Sequence, residues 1–134
     1  MGESVIELHL DSGSGLSPYQ QLVQQVRHAL RLGLLAEGDR LPTVKDVAGR
    51  LAINPNTVLK AYRELEHDGL VAARPGIGTF VTRTLAGAPP AALGPLRKDL
   101  RRWLTKARLA GLDDESIEAL FLTTFRGAAG EDVA

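Results

Sequence analysis

The 134 residues carry 16 basic and 16 acidic side chains, so the formal net charge is +0 and no strong global field draws the chain to nucleic acid or membrane. Hydrophobic residues make up 44%, enough for a core, and the absence of cysteine rules out a disulfide framework, a thiolate nucleophile and a cysteine metal site, as expected of a cytoplasmic protein. The length suggests one domain or one domain with an appendage; no apolar run is long enough for a membrane helix, and no basic-then-apolar leader opens the chain.

Val5 to Leu10 alternates, with Ile6, Leu8 and Leu10 on one face, which predicts a short strand. Asp11-Ser12-Gly13-Ser14-Gly15 reads as a turn; it lacks the lysine and the strand-loop-helix context of a phosphate cradle. Ser17, Pro18 and Gln20 form a capping box with proline at the first helical position. The helix they open sets Tyr19, Leu22, Val23, Val26 and Leu30 on one stripe and ends near Gly33. Residues 34–40 are a loop into the central stretch.

From Leu41 to Val81 the pattern is helix, tight turn, helix, hairpin. Thr43 is an N-cap, with Asp46 placed to reach back to it, and Val47, Ala48 and Leu51 form the buried side. Asn54-Pro55 starts the second helix, in which Val58, Ala61, Tyr62 and Leu65 fall at helical spacing and Gly69 is the left-handed stop. Its other side carries Asn56, Thr57, Lys60 and Arg63, groups that hydrogen-bond phosphates and base edges. Residues 70–74 and 79–82 read as two strands around Pro75-Gly76-Ile77-Gly78. The fold class is therefore mainly α with a small β-hairpin, a winged helix-turn-helix.

The same stretch resembles the N-terminal DNA-binding domain of the GntR family of bacterial transcription regulators. The resemblance rests on Leu41-Pro42-Thr43 with basic Lys45, Asn54-Pro55-Asn56-Thr57-Val58, Ala61-Tyr62-Arg63-Glu64-Leu65-Glu66, Gly69-Leu70 and Gly76-Ile77-Gly78-Thr79-Phe80-Val81. It is close over residues 16–81, looser in the tail, and most similar to the YtrA subfamily. The family usually has arginine at the place of Lys45, so a point-charge phosphate contact is expected there instead of a bidentate one. The resemblance implies a sequence-specific regulator of transcription, a dimeric repressor on an inverted-repeat operator, with double-stranded DNA and a second copy of itself as partners.

Residues 84–95 are rich in small residues and proline and read as a linker between a winged domain over 1–83 and a tail over 96–126. The first tail helix carries Leu96, Leu100, Trp103, Leu104 and Ala107 among basic residues, and Gly111 ends it. Asp113 caps the second, whose apolar face is Ile117, Leu120, Phe121, Thr124 and Phe125; residues 127–134 read as frayed. Fewer than about 40 residues seldom enclose a core alone. Leu100, Trp103, Leu104, Ile117, Leu120, Phe121 and Phe125 are thus expected to pack against the tail of a second subunit, with folding back on the winged domain as the alternative.

The expected DNA contacts are Lys45, Asn54, Asn56, Thr57, Lys60, Arg63, Arg74, Gly76 and Gly78. Lys60 and Arg63 have the alternative of pairing with Glu64 and Glu66. Gly76 and Gly78 bring backbone N–H groups close to DNA, whereas a plain turn needs only one of them. His9, His28 and His67 sit on separate elements without ligand spacing, so neither a metal nor any other cofactor is expected, and no catalytic constellation points to an enzyme. Any small-molecule effector is expected in a cleft between subunits or between tail and winged domain. Two other readings stay open: the DNA-binding module of a longer aminotransferase-fused regulator, and a winged helix used only for protein–protein contact.

Overall fold

In the computed structural model, residues 6–87 and 90–133 are described, with side chains as far as Ala128 in the last helix. Val5, residues 88–89 of the expected linker and Ala134 lie outside them. The elements are α1 (Pro18–Arg31), α2 (Val44–Leu51), α3 (Pro55–His67), β1 (Val71–Arg74), β2 (Gly78–Val81), α4 (Pro90–Leu109) and α5 (Asp114–Val133). They fall into two compact units that divide after Pro90.

The first unit packs α1 and α2 on α3. Ser17 and Gln20 make both arms of the capping box, and Pro18 holds the first helical position. At α2, Asp46 N–H donates to Thr43 Oγ1 at 3.1 Å, but only that arm forms. Aspartate is one methylene shorter than the glutamate of a capping box, and the return bond is not made. Leu8, Leu22, Val26, Leu30, Leu35, Leu41, Val47, Val58, Leu65 and Leu70 are all almost fully buried, so three helices, the N-terminal segment and the loops share one core.

The strand expected over residues 5–10 is not a strand. Ile6 to Leu10 is extended, with Leu8 buried and its neighbours turned out, so the alternation is real. Its backbone, however, bonds to side chains of α1 and α2. The Gln25 amide donates to His9 O (2.8 Å) and accepts from His9 N–H (3.0 Å). Buried Gln21 does the same to Asp11, accepting at 2.8 Å and donating at 3.1 Å, and donates also to Leu16 O. Arg50 donates to Leu8 O at 2.6 Å and pairs with Glu7. Helix side chains thus satisfy the groups that a neighbouring strand would otherwise have taken.

The tight turn between α2 and α3 is made at Ala52, a non-glycine residue at φ 55°, whose left-handed conformation lets Ile53 N–H reach Ala48 O. Asn54 then caps α3 through Asn56 N–H at 2.8 Å. Gly69, at φ 77°, ends α3 and turns the chain into β1.

β1 and β2 pair antiparallel from Val71↔Val81 to Arg74↔Gly78. The turn is the three residues Pro75, Gly76 and Ile77, with Gly76 at φ 76°, so Gly78 belongs to the strand and not to the turn. The loop before α2 adds a third rung on the other side of β2. Gly38 N–H donates to Val81 O, Val81 N–H to Asp39 O and Leu41 N–H to Thr79 O, and Arg40 bridges Phe80. This gives a winged helix whose wing is stitched at its base to the entry of α2.

The expected linker begins inside the first unit. Thr84 Oγ1 donates to Leu30 O, Leu85 N–H bonds the same carbonyl, and the Leu85 side chain packs on the core. The helix expected from residue 96 starts at Pro90 and takes in Pro95. Proline is tolerated at a helix start, and Pro95 removes one bond just inside the second turn while Ala91, Ala92 and Leu93 favour helix. The end expected to fray, residues 127–134, continues α5 to Val133, since extending an established helix through Ala128 and Ala129 costs little.

In the second unit only Ala107 and Ile117 are buried among the described side chains. Gly111 (φ 98°) ends α4, Ser116 N–H donates to Asp113 Oδ1 at 2.8 Å, and Arg108 pairs with Asp114 across the turn. A groove of about 290 Å³ lies between the two helices, lined by Leu100, Trp103, Leu104, Ile117 and Phe121. Phe125, stacked on Phe121, remains 63% exposed.

Candidate nucleic-acid interface

α3 is two-sided. Val58, Ala61, Tyr62 and Leu65 are buried, whereas Asn56, Lys60 and Arg63 are exposed, with Thr57 and Leu59 half-buried. The Tyr62 hydroxyl donates to Pro42 O at 2.6 Å, fixing α3 against the entry of α2, and burial raises its pKa well above the usual phenol value. Lys45, second residue of α2, is exposed. Among the described residues neither Lys45 nor Arg63 forms an ion pair.

The acids that had been the alternative partners of Lys60 and Arg63 are engaged elsewhere. Glu64 accepts a short hydrogen bond from the Tyr19 hydroxyl on α1, which raises the tyrosine pKa, and Glu66 accepts from Ala73 N–H at 3.0 Å. Lys60 Nζ instead lies 4.2 Å from the centroid of the Tyr19 ring, a cation–π contact that leaves its charge uncompensated by a carboxylate. Asn54 spends its side-chain oxygen on the cap, and Asn56 keeps its amide free.

On the wing, Arg74 stacks over Phe80 with Cζ 4.6 Å from the ring centroid. Gly76 supplies the left-handed turn. The structure thus gathers Lys45, Asn56, Lys60 and Arg63 on α2 and α3, and Arg74, Gly76 and Gly78 on the wing, within one unit. Tyr19 packs against the core as its place on the α1 stripe predicts, but its contacts with Lys60 and Glu64 were not foreseen. Nor was the pairing of Arg40 with β2, since that loop carries no periodic signal.

This arrangement, with an amide- and cation-bearing helix, a supporting helix and a basic hairpin, is what major-groove readers present to DNA. Residues 18–81 match the family described as bacterial regulatory proteins, gntR family. The chain is 40% identical over 110 residues to the HTH-type transcriptional regulator Rv1152 of Mycobacterium tuberculosis, covering 73% of this chain and 91% of the relative. The chain belongs to the GntR family. The HTH-type transcriptional repressor YtrA of Bacillus subtilis is 30% identical over 111 residues, covering 82% of this chain and 85% of that protein. Among solved structures, YtrA from Sulfolobus acidocaldarius, a GntR-family transcription factor, superposes with a TM-score of 0.50 at 27% identity, over 76% of this chain and 99% of that one. As a GntR regulator the chain carries a DNA-binding helix-turn-helix, and among its described residues no helix is long and apolar enough to cross a membrane.

Proposed function

We propose that this GntR regulator is a cytoplasmic, homodimeric repressor that reads an inverted-repeat operator with α3 and grips the DNA backbone with α2 and the wing. The observation that carries the reading is the exposed side of α3. Asn56, Lys60 and Arg63 line it, its acids are turned to Tyr19 and Ala73, and its one branched apolar candidate, Leu59, is half-buried. A helix built to dock protein would show apolar groups there. Asn56 leads the helix and reads a base edge, Lys45 and Lys60 bond phosphates as point charges, and Arg63, Arg74 and the wing glycines make further backbone contacts. Thr57 contributes a hydroxyl beside the cap that Asn54 forms.

The dimer reading rests on the tail. Leu100, Leu120 and Phe121 are each 44% exposed although they fall on the apolar faces of α4 and α5, and only Ile117 of the expected interface set is buried within one tail. Repression is the activity printed for the B. subtilis relative. The experiment is a selection from random duplex DNA with the purified protein, followed by footprinting. Recovery of a two-fold symmetric motif, with half-sites about one helical turn or a multiple apart, supports the proposal. A single asymmetric site, or no enrichment, overturns it.

A further inference from the structure

Gly78 and Arg40 are fitted to each other. A Cβ built on Gly78 would stand 2.8 Å from Arg40 Nε and 3.3 Å from its Cζ, so the guanidinium lies on the bare Cα of the strand. The placement follows from the pairing. Arg40 bridges Phe80, and Gly78 is two residues along β2, so all three share one face of the sheet. Arg74, cross-strand partner of Gly78, lies on that face too and covers the Phe80 ring. Val71 and Val81, buried in the core, belong to the opposite face.

The two arginines therefore come from the backbone segments on either side of β2, about 5 Å away, and both guanidinium groups reach over β2 itself, Arg40 onto Gly78 and Arg74 onto Phe80. Neither forms an ion pair among the described residues, although the chain has as many acidic as basic side chains to offer. Arg40 Nε is buried without a hydrogen-bond acceptor. Such a group costs free energy and calls for an explanation. Seated against Gly78, the planar head keeps its terminal nitrogens for a partner outside the wing, and its rigid fork suits phosphate oxygens.

We propose that Arg40 is a DNA-backbone contact that forms, with Arg74, a two-arginine phosphate clamp on the outer face of the wing, and that Gly78 is the seat of the Arg40 guanidinium. This rests on the reading that the wing approaches DNA. It gives the two glycines separate roles, Gly76 making the turn and Gly78 housing a side chain.

The test measures affinity for a random-sequence duplex as a function of salt, using the full chain and checking each variant by thermal melting. Arg40→Ala is expected to weaken binding several-fold and to lower the slope of log affinity on log salt by about one unit, the counterions released by one phosphate contact. Arg40→Lys should keep the slope while losing part of the affinity, and it serves as the working variant if the alanine form melts early. Gly78→Ala should weaken binding in the wild type and much less in an Arg40→Ala background, because any strain at its φ of 147° is common to both. If folded Arg40→Ala keeps the wild-type affinity and slope while Lys45→Ala loses both, the clamp is wrong and the DNA reading of the winged unit stands. If neither variant changes binding, that reading fails with it.

Discussion

The Tyr62 hydroxyl donates to the carbonyl of Pro42 across 2.6 Å, joining the middle of α3 to the residue that leads into α2. The bond spans 20 residues of chain and ties α3 to the entry of α2, the helices that carry Asn56 and Lys45. Tyr62→Phe keeps the ring in the core and removes only this donor, leaving the Pro42 carbonyl unpaired. Unfolding in urea should show a loss of about 1 kcal/mol with an unchanged slope. A variant as stable as the wild type would mean the bond contributes nothing net.

Ala52 turns the chain between α2 and α3 at φ 55°, a conformation that costs an L-residue roughly 1 kcal/mol or more. Its side chain is exposed, so replacement by glycine sacrifices no packing. Ala52→Gly is expected to raise stability by about 0.5–1 kcal/mol, the relief of the left-handed conformation outweighing the added freedom of the unfolded chain. A lower melting temperature would show that unfolded-state entropy dominates at this turn.

Helix starts and stops were legible because they are local chemistry. Ser17, Thr43, Asn54 and Asp113 cap where their side chains could reach, and Gly69 and Gly111 end helices by their backbone freedom. What was not legible depends on partners distant in sequence. The period-two pattern of Ile6 to Leu10 registers one buried face but cannot say that Gln25 and Arg50, rather than a strand, bond the backbone. The turn at Ala52 has no glycine to announce it. The seat for Arg40 joins a loop to a strand some 38 residues later, and no spacing rule connects them. Prolines at 90 and 95 suggested a linker because a turn signal and a helix start look alike there.

Asp113 supplies a pH response in the second unit. The hydrogen bonds from Ser116 to its carboxylate hold its pKa below the ordinary 3.8. A folded-state value below the unfolded one adds stability that is fully present above the ordinary carboxylate range and disappears as pH falls through the lowered value. Helix content of α5, followed by circular dichroism from neutral pH down into that window, should fall more steeply in the wild type than in Asp113→Asn, which keeps a cap without a titrating group. Identical acid profiles would remove the cap from the account.

Ending the chain after Pro90, where the two units divide and beyond the point where Leu85 packs on the core, removes the second unit and leaves the first whole. On the dimer reading the truncated form is a folded monomer that binds its operator far more weakly than the whole chain, since it must bring two copies together on DNA. Sedimentation equilibrium decides: a truncated protein that remains dimeric places the interface outside the tail.

Positioning and reading should separate between α2 and α3. Lys45 is an exposed cation on the first turn of the helix expected to cross the phosphate backbone. Lys45→Ala should weaken binding to all sequences about equally and lower the salt slope by about one unit. Asn56 stands at the leading end of α3 with its side-chain amide unspent, because the cap beside it uses only its backbone N–H. Asn56→Ala should leave the salt slope unchanged, relax preference at one or two base positions and cost about 1–3 kcal/mol on the preferred site. The cap provided by Asn54 survives that substitution, so helix stability does not confound the comparison. A base-preference profile and a salt titration on both variants settle the assignment. An Asn56→Ala protein with the wild-type base profile, beside a Lys45→Ala protein with an altered one, would exchange the roles of the two helices.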